Sequence, residues 1–342
     1  MGKIARVTGI VVGLCVLFLL VLSLWNLAAT RWQHAHNPVP GSFYSVDGRL
    51  MHIDCAGTGS PTVVIEAAAS ASWLAWKGVQ SHLSPVTRVC AYDRAGHGWS
   101  EPRQGPRDAE TIVRELHALL DEAGVQRPMV LVGHSAGGLY VREYAREFPA
   151  EVVGVVLIDA SSPQQIDDLP GFRTSYEQGE RAYGRELLWQ RLEVWFGWAR
   201  LMGQCRDVPS KELQYLAGQY DATTCRPGYV GGEDSEFMDF ERSCKEAGRL
   251  TSFGKVPLLI ISQDPNLNAD KMTEHEIAGE RAWDREQEAS KSLSPMSWRV
   301  IARGAGHGVQ HDRLDLMVAE MTRLIRYVRG GPAPSFGSTA IE

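Results

Sequence analysis

The run "MVLVGHSAGGLYVREY", Met129 to Tyr144, restricts the fold more than any other stretch of the chain. An apolar segment climbs to Val132, a serine stands between Gly133 and Gly137, and helical spacing follows at once. So sharp a bend forces strained dihedrals on its central residue and needs small neighbours for strand and helix to approach. Ser135 is then either a nucleophile raised on a strand-to-helix turn, the pattern G-x-S-x-G, or a hydroxyl capping the helix behind it. Three fixed positions arise often by chance, so the surroundings must decide.

Those surroundings alternate strands and helices. "FYSVDGRLMHIDCAG" reads as two extended runs joined through Asp47-Gly48, a hairpin signal. "PTVVIEAA" and "TRVCAYDRAGHGWS" read as strands, the second ending in a glycine-rich turn. Ala109 to Gly124 has helical spacing with a terminal glycine. "VVGVVLIDAS" is apolar throughout, as expected of a parallel strand covered on both faces. From Ser161 to about Leu250 the strands stop, and Leu188, Leu192, Trp195, Phe196, Ala199 and Met202 mark an amphipathic helix. The pattern resumes with "KVPLLIISQDP", a helix around 273–292, the strand "SWRVIAR" and the closing helix "LDLMVAEMTRLIRYV". An α/β core over 43–160 and 251–330, interrupted by a helical lid over 161–250, follows from this order. Residues 331–342 read as a flexible tail.

The N-terminus obeys other rules. Val7 to Thr30 has no charged residue and is long enough for the hydrocarbon core, which needs about 20 apolar residues. Lys3 and Arg6 precede it, favouring a cytoplasmic N-terminus and an extracytoplasmic catalytic domain. Residues 1–30 are therefore expected to be a single-pass membrane anchor, with a linker over 31–42. A cleaved signal peptide, which would release a secreted or periplasmic protein, is the competing reading, since "LAAT" offers small residues. A formal charge of −6 shows no basic excess, so no nucleic-acid partner is suggested.

Cys15 lies in the apolar segment, leaving five cysteines outside it. At least one of those stays unpaired or bridges to another chain. Any two of Cys205, Cys225 and Cys244 could pair, while Cys55 and Cys90 fall on expected strands. None of these cysteines has CxxC spacing, so neither a metal site nor a cofactor is expected.

A serine hydroxyl needs a base. His307 follows the last core strand in the flexible turn "GAGHGVQ", where its ring can reach over the serine. Two carboxylates qualify to orient it. Asp264, in "IISQDPN", follows the strand after the lid but lies only two residues beyond the strand's end. Asp159, in "VLIDAS", ends the strand after the Ser135 helix. Each also has a local explanation, Asp159 as a cap and Asp264 as an Asp-Pro turn former. Both stay open.

"YDRAGHGWS", "GHSAGG", the lid insertion and "GAGHGVQ" together resemble the α/β-hydrolase superfamily over roughly residues 43–330, close to its esterase, lipase and cofactor-free haloperoxidase-like branches. The resemblance implies a mostly parallel eight-stranded sheet, with Ser135 as nucleophile and His307 as base. An acid after the earlier strand is used in some relatives, including certain haloalkane dehalogenases, which keeps Asp159 in play. It also implies an oxyanion hole from the backbone amides of Ala136 and Ala68. Many relatives have His-Gly where this chain has Glu66-Ala67-Ala68. Trp73 and Trp76 near that loop, with Trp189, Trp195 and Trp198 in the lid, are candidates for an apolar substrate pocket. The expected activity is hydrolysis of a small-molecule carboxylic ester. An aminopeptidase using lid carboxylates in "GGEDSEFMDFE", a haloperoxidase-like activity, or a binding protein without catalysis are the alternatives. Substrate and oligomeric state are not readable.

Overall fold

The computed structural model describes residues 2–69, 71–206, 208, 211–226 and 232–342. Its centre is a nine-stranded sheet, in the order β1-β2-β4-β3-β5-β6-β7-β8-β9. The strands are β1 (Ser42–Val46), β2 (Arg49–Ala56), β3 (Thr62–Glu66), β4 (Val89–Tyr92), β5 (Met129–His134), β6 (Val152–Ile158), β7 (Leu258–Ser262), β8 (Ser297–Ile301) and β9 (Thr339–Ile341). Only β1 with β2 and β2 with β4 run antiparallel; the other neighbours are parallel. The β1–β2 turn puts Asp47 at φ 49° and Gly48 at φ 76°, both left-handed, as a two-residue hairpin of the right twist requires.

Both faces of the sheet are covered, which is why its strands are apolar without alternation. Helices α1 (Gly2–His36), α2 (Lys77–Leu83), α3 (Ala109–Glu122) and α4 (Gly137–Glu147) precede β6. Along β5, Met129 and Leu131 pack with α3 and α4, while Val130 and Val132 pack on the face that carries α2. Replacing any of these by alanine would cost about 2–5 kcal/mol if the cavity cannot collapse.

Between β6 and β7 the chain leaves the sheet for α5 (Gln165–Asp168), α6 (Phe172–Trp195), α7 (Trp198–Leu201), α8 (Ala217–Thr224), α9 (Gly232–Met238) and α10 (Phe240–Ala247). Then α11 (Glu274–Ala289) follows β7, and α12 (Val309–Asp312) and α13 (Leu314–Val328) follow β8. Gly197, at φ 75°, breaks the continuous helix expected around Trp195 into α6 and α7. Its apolar stripe also faces the other way: Leu188, Trp195 and Met202 point outward instead of into the core.

Three local readings change. The tail read as flexible contributes β9, which pairs with β8 through Arg299 N–H to Ser338 O (3.0 Å) and Glu342 N–H to Ile301 O (3.0 Å). Its Gly, Ser and Pro residues hid a strand whose stability comes from satisfying the open edge of β8. Helix α1 runs on to His36, through half of the expected linker. Cys55 and Cys90 face each other on β2 and β4 and form a disulfide, and Cys205 bridges to Cys225. Cys244 is the buried free thiol.

Candidate active site

Ser135 follows β5 at once and holds φ 52°, a region that costs a non-glycine residue of order 1–3 kcal/mol. Neighbouring contacts hold it there. Its N–H donates to Ile158 O (3.2 Å), and its carbonyl accepts from Gly138 N–H (2.9 Å) and Ser161 N–H (2.9 Å). The glycines around it are required by space. A Cβ on Gly133 would lie 2.6 Å from the Gly137 carbonyl oxygen, one on Gly137 2.3 Å from the Glu66 carbonyl oxygen, and one on Gly138 2.5 Å from Ala160 Cβ. The "GHSAGG" cluster thus lets α4 drive its N-terminus between the ends of β3 and β6.

His307 lies in the turn after β8. Its Nδ1 is 2.6 Å from Asp159 Oδ2, which is fully buried. A carboxylate can only accept, so the network puts the imidazole proton on Nδ1 and leaves the Nε2 lone pair free. Asp159 Oδ1 accepts from Gln263 N–H (3.1 Å) and Trp283 Nε1–H (2.9 Å). Asp159 itself sits at φ 39°, beyond the last residue of β6.

Asp264 does not reach His307. Its Oδ1 accepts from Asn266 N–H (3.0 Å) and its Oδ2 from Gly304 N–H (3.0 Å), tying its own turn to the one before His307. Of the two carboxylates left open by the sequence, the structure brings Asp159 to the imidazole.

His134, beside the serine, donates from Nε2 to the His307 carbonyl oxygen (2.8 Å). Burial, reinforced by the nearby His307 charge, pushes its pKa down to about 4, so it stays neutral and serves to position the His307 backbone.

The N–H groups of Ala136 and Ala68 carry no hydrogen bond among the described residues. The loop holding Ala68 is fixed by Arg94, whose guanidinium uses every edge. Nη1 donates to Glu66 Oε1 (2.7 Å) and Ala67 O (2.9 Å), Nη2 to Ala68 O (2.7 Å) and Glu236 Oε2 (2.9 Å), and Nε to Glu236 Oε1 (2.8 Å). Glu66, odd at a strand end in the sequence, is explained by this cluster. Burial alone would raise the Glu236 carboxyl, but Arg94, His97 and Arg107 hold it below the usual range.

Glu236 comes from the acidic lid stretch, and Asp239 of the same stretch accepts from Arg107 N–H (2.6 Å). These carboxylates fasten lid to core instead of facing a substrate amine. Gly231 and the Glu233 and Asp234 side chains of that stretch lie outside the described residues.

Ser135 and His307 both line a cavity of about 480 Å³, with Gln165, Leu169, Phe172 and Trp283 among its walls. The expected tryptophans are elsewhere. Trp73 is fully buried against His52, with ring centroids 5.4 Å apart, and Trp189 and Trp195 face solvent. The wall is built instead from the start of α6 and from α11, whose residues carried no legible motif. Trp283 and Gln263, which steady Asp159, were missed for the same reason.

The alpha/beta hydrolase family model matches residues 50–320. The chain belongs to that family. A Schizosaccharomyces pombe protein without an assigned activity is 32% identical over 258 residues, 74% of this chain and 44% of its own length. The chain spans less than half the length of the curated relatives it matches. Among solved structures, a thermophilic esterase from Thermogutta terrifontis superimposes with a TM-score of 0.61 at 19% identity, covering 85% of this chain and 98% of the esterase. An epoxide hydrolase from an endophytic Streptomyces gives 0.61 at 16% identity, over 88% and 98%. At these identities the likeness is one of fold.

Proposed function

We propose that this hydrolase cleaves carboxylic esters through an acyl-enzyme on Ser135. One observation carries the reading: the elbow serine and an imidazole hydrogen-bonded to a buried carboxylate line the same cavity. Ser135 Oγ attacks the ester carbonyl while His307 Nε2 takes its proton. Asp159 steadies the imidazolium that forms, without itself being protonated. The Ala136 and Ala68 amides receive the oxyanion, each such donor being worth about 3 kcal/mol in the transition state. His307 then protonates the leaving alcohol, and water attacking the acyl carbonyl with the same base frees the serine.

A serine at the elbow argues against epoxide-hydrolase and dehalogenase chemistry, which uses an aspartate there. The commitment of Glu236 and Asp239 to lid-core contacts argues against the aminopeptidase alternative. The cavity walls combine Leu169, Phe172 and Trp283 with Gln165 and Glu280, which fits an ester with one apolar group and one polar function. We also read α1 as an anchor that leaves the hydrolase outside the cytoplasm. Its exposed apolar run, free of charge from Val7 to Thr30, and the two disulfides support this.

The test is a fluorophosphonate probe on the full chain. Wild type should be labelled and Ser135→Ala should not. A folded wild type that resists the probe while hydrolysing no ester sinks the reading.

A further inference from the structure

Helix α1 is not simply tethered to the hydrolase; its C-terminal third is built into the lid. Asn26, Thr30 and Gln33, spaced along one helical face, are its buried residues. Asn26 Nδ2 donates to Val194 O (2.8 Å), and Arg200 Nε donates to Asn26 Oδ1 (2.9 Å). Gln33 Nε2 donates to Asp221 Oδ2 (2.7 Å), a carboxylate that also pairs with Arg200. Gly197 lets the helix pass closely: a Cβ there would be 2.7 Å from Asn26 Cβ. Before Asn26 the helix projects from the protein, and its apolar residues are exposed.

Around the point where α1 leaves the lid, the lid's own surface is apolar and aromatic. Leu188 (56% exposed), Trp189 (62%), Trp195 (56%) and Trp198 (45%) on α6 and α7, and Met202 (59%) just after α7, all face outward. Leu188, Trp195 and Met202 recur every seven residues, and the exposed Arg185, Arg191 and Glu193 flank the stripe on α6. Isolated surface apolar residues need no explanation, but a cluster of them rimmed by charged side chains marks a docking surface. Tryptophan is enriched at the level of lipid headgroups, and arginine pairs with their phosphates. Trp25 and Trp32, exposed on α1 either side of Asn26, sit beside the same boundary.

We propose that the α6–α7 surface rests in the interfacial zone of the membrane that α1 crosses. The lid is then held by two contacts, the span and the patch, which fix the orientation of the hydrolase relative to the bilayer. The occupant is a lipid surface because the patch adjoins an apolar helix which, from Val7 to Leu24, spans about 27 Å at 1.5 Å per residue, close to the thickness of a hydrocarbon core. The part of the cavity wall built by Phe172 and Ser175 stands some 20 Å along α6 from Leu188. The inference rests on reading α1 as a membrane span.

The test reconstitutes the full chain in phosphatidylcholine vesicles doped with a phosphatidylcholine that carries a diazirine on one acyl chain. After photolysis, peptides are mapped by mass spectrometry. Lipid adducts are expected in 7–25 and in 188–202. In Trp189→Ser/Trp195→Ser/Trp198→Ser the adducts in 188–202 should fall at least fivefold while those in 7–25 persist, with Ser135 still reactive to fluorophosphonate as a check on folding. Adducts confined to 7–25 overturn the proposal and leave the anchor standing. Adducts in neither segment overturn the anchor as well.

Discussion

Adjacent strands β6 and β7 each deliver an aspartate to the same end of the sheet, yet the two carboxylates have opposite fates. Asp159 is fully buried and meets His307, with Gln263 N–H and Trp283 Nε1–H on its other oxygen. Asp264 is half-buried and spends both oxygens on backbone amides of neighbouring turns. The difference is one of placement. β6 lies beside β5, which carries Ser135, and the turn after β8 reaches past β7 to bring His307 to Asp159. A carboxylate one strand from the elbow serine and sealed from water holds an imidazole more firmly than one that also has to shape a loop.

The comparison breaks most directly at Asp159. In Asp159→Asn the amide can donate to His307 Nδ1 and so favour the tautomer that protonates Nε2, removing the base. The expected loss in kcat is on the order of 10⁴-fold, with fluorophosphonate labelling slowed in parallel. Asp264→Asn assayed beside it should retain activity. If Asp264→Asn were the variant that lost activity, Asp159 would not be the acid behind His307.

Next in size is a pH effect centred on His134. Its pKa in the folded protein is about 4, lowered by burial and by the His307 charge, against about 6.5 in the unfolded chain. The unfolded state therefore binds its proton first as pH falls. The stability linked to neutral His134 is present above about pH 6.5 and is lost as pH falls through 4. The difference spans about 3 kcal/mol. His134→Gln retains a donor for the His307 carbonyl but cannot titrate. Its unfolding free energy relative to wild type should rise by about that amount between pH 7 and pH 4. Urea titrations across this range check it, and a constant difference would refute it.

The sheet and the serine were legible because each leaves a local trace. β5 shows an unbroken apolar run, and the glycines mark close approaches, Gly133 to Gly137, Gly137 to Glu66 and Ala67, and Gly138 to Ala160. His307 was legible from its place after the last core strand. The carboxylate that meets His307 was not, because Asp159 and Asp264 end similar strands and differ only in what the fold puts opposite them. The tryptophans misled for a related reason. Aromatic residues in a lid look alike whether they line a cavity, fill a core as Trp73 does, or face outward as Trp189 and Trp195 do. The ninth strand escaped because β9 draws its stability from the edge of β8, not from its own residues.

A smaller effect separates orientation from charge at the Asp159 site. Trp283→Phe keeps the ring against the cavity and removes the Nε1–H donated to Asp159 Oδ1. One hydrogen bond to a carboxylate is worth about 1.5 kcal/mol, which corresponds to roughly a tenfold fall in kcat. If Trp283 matters only as a cavity wall, KM will change instead, and that split is the readout.

The smallest effect belongs to Asp264. Asparagine at this position still accepts one of the two amides, Asn266 N–H or Gly304 N–H, but loses the charged bond to the other. The turn before His307 should loosen by about 1 kcal/mol, which for a domain of this size moves the unfolding midpoint by about 2 °C. Because His307 is held independently through its own carbonyl by His134 and through Nδ1 by Asp159, kcat/KM should remain within about twofold of wild type. A stability loss without an activity loss marks Asp264 as a turn builder. An activity loss much larger than the stability loss would mean that the His307 turn depends on Asp264 for its register, and the two aspartates would then share the task that the geometry gives to one.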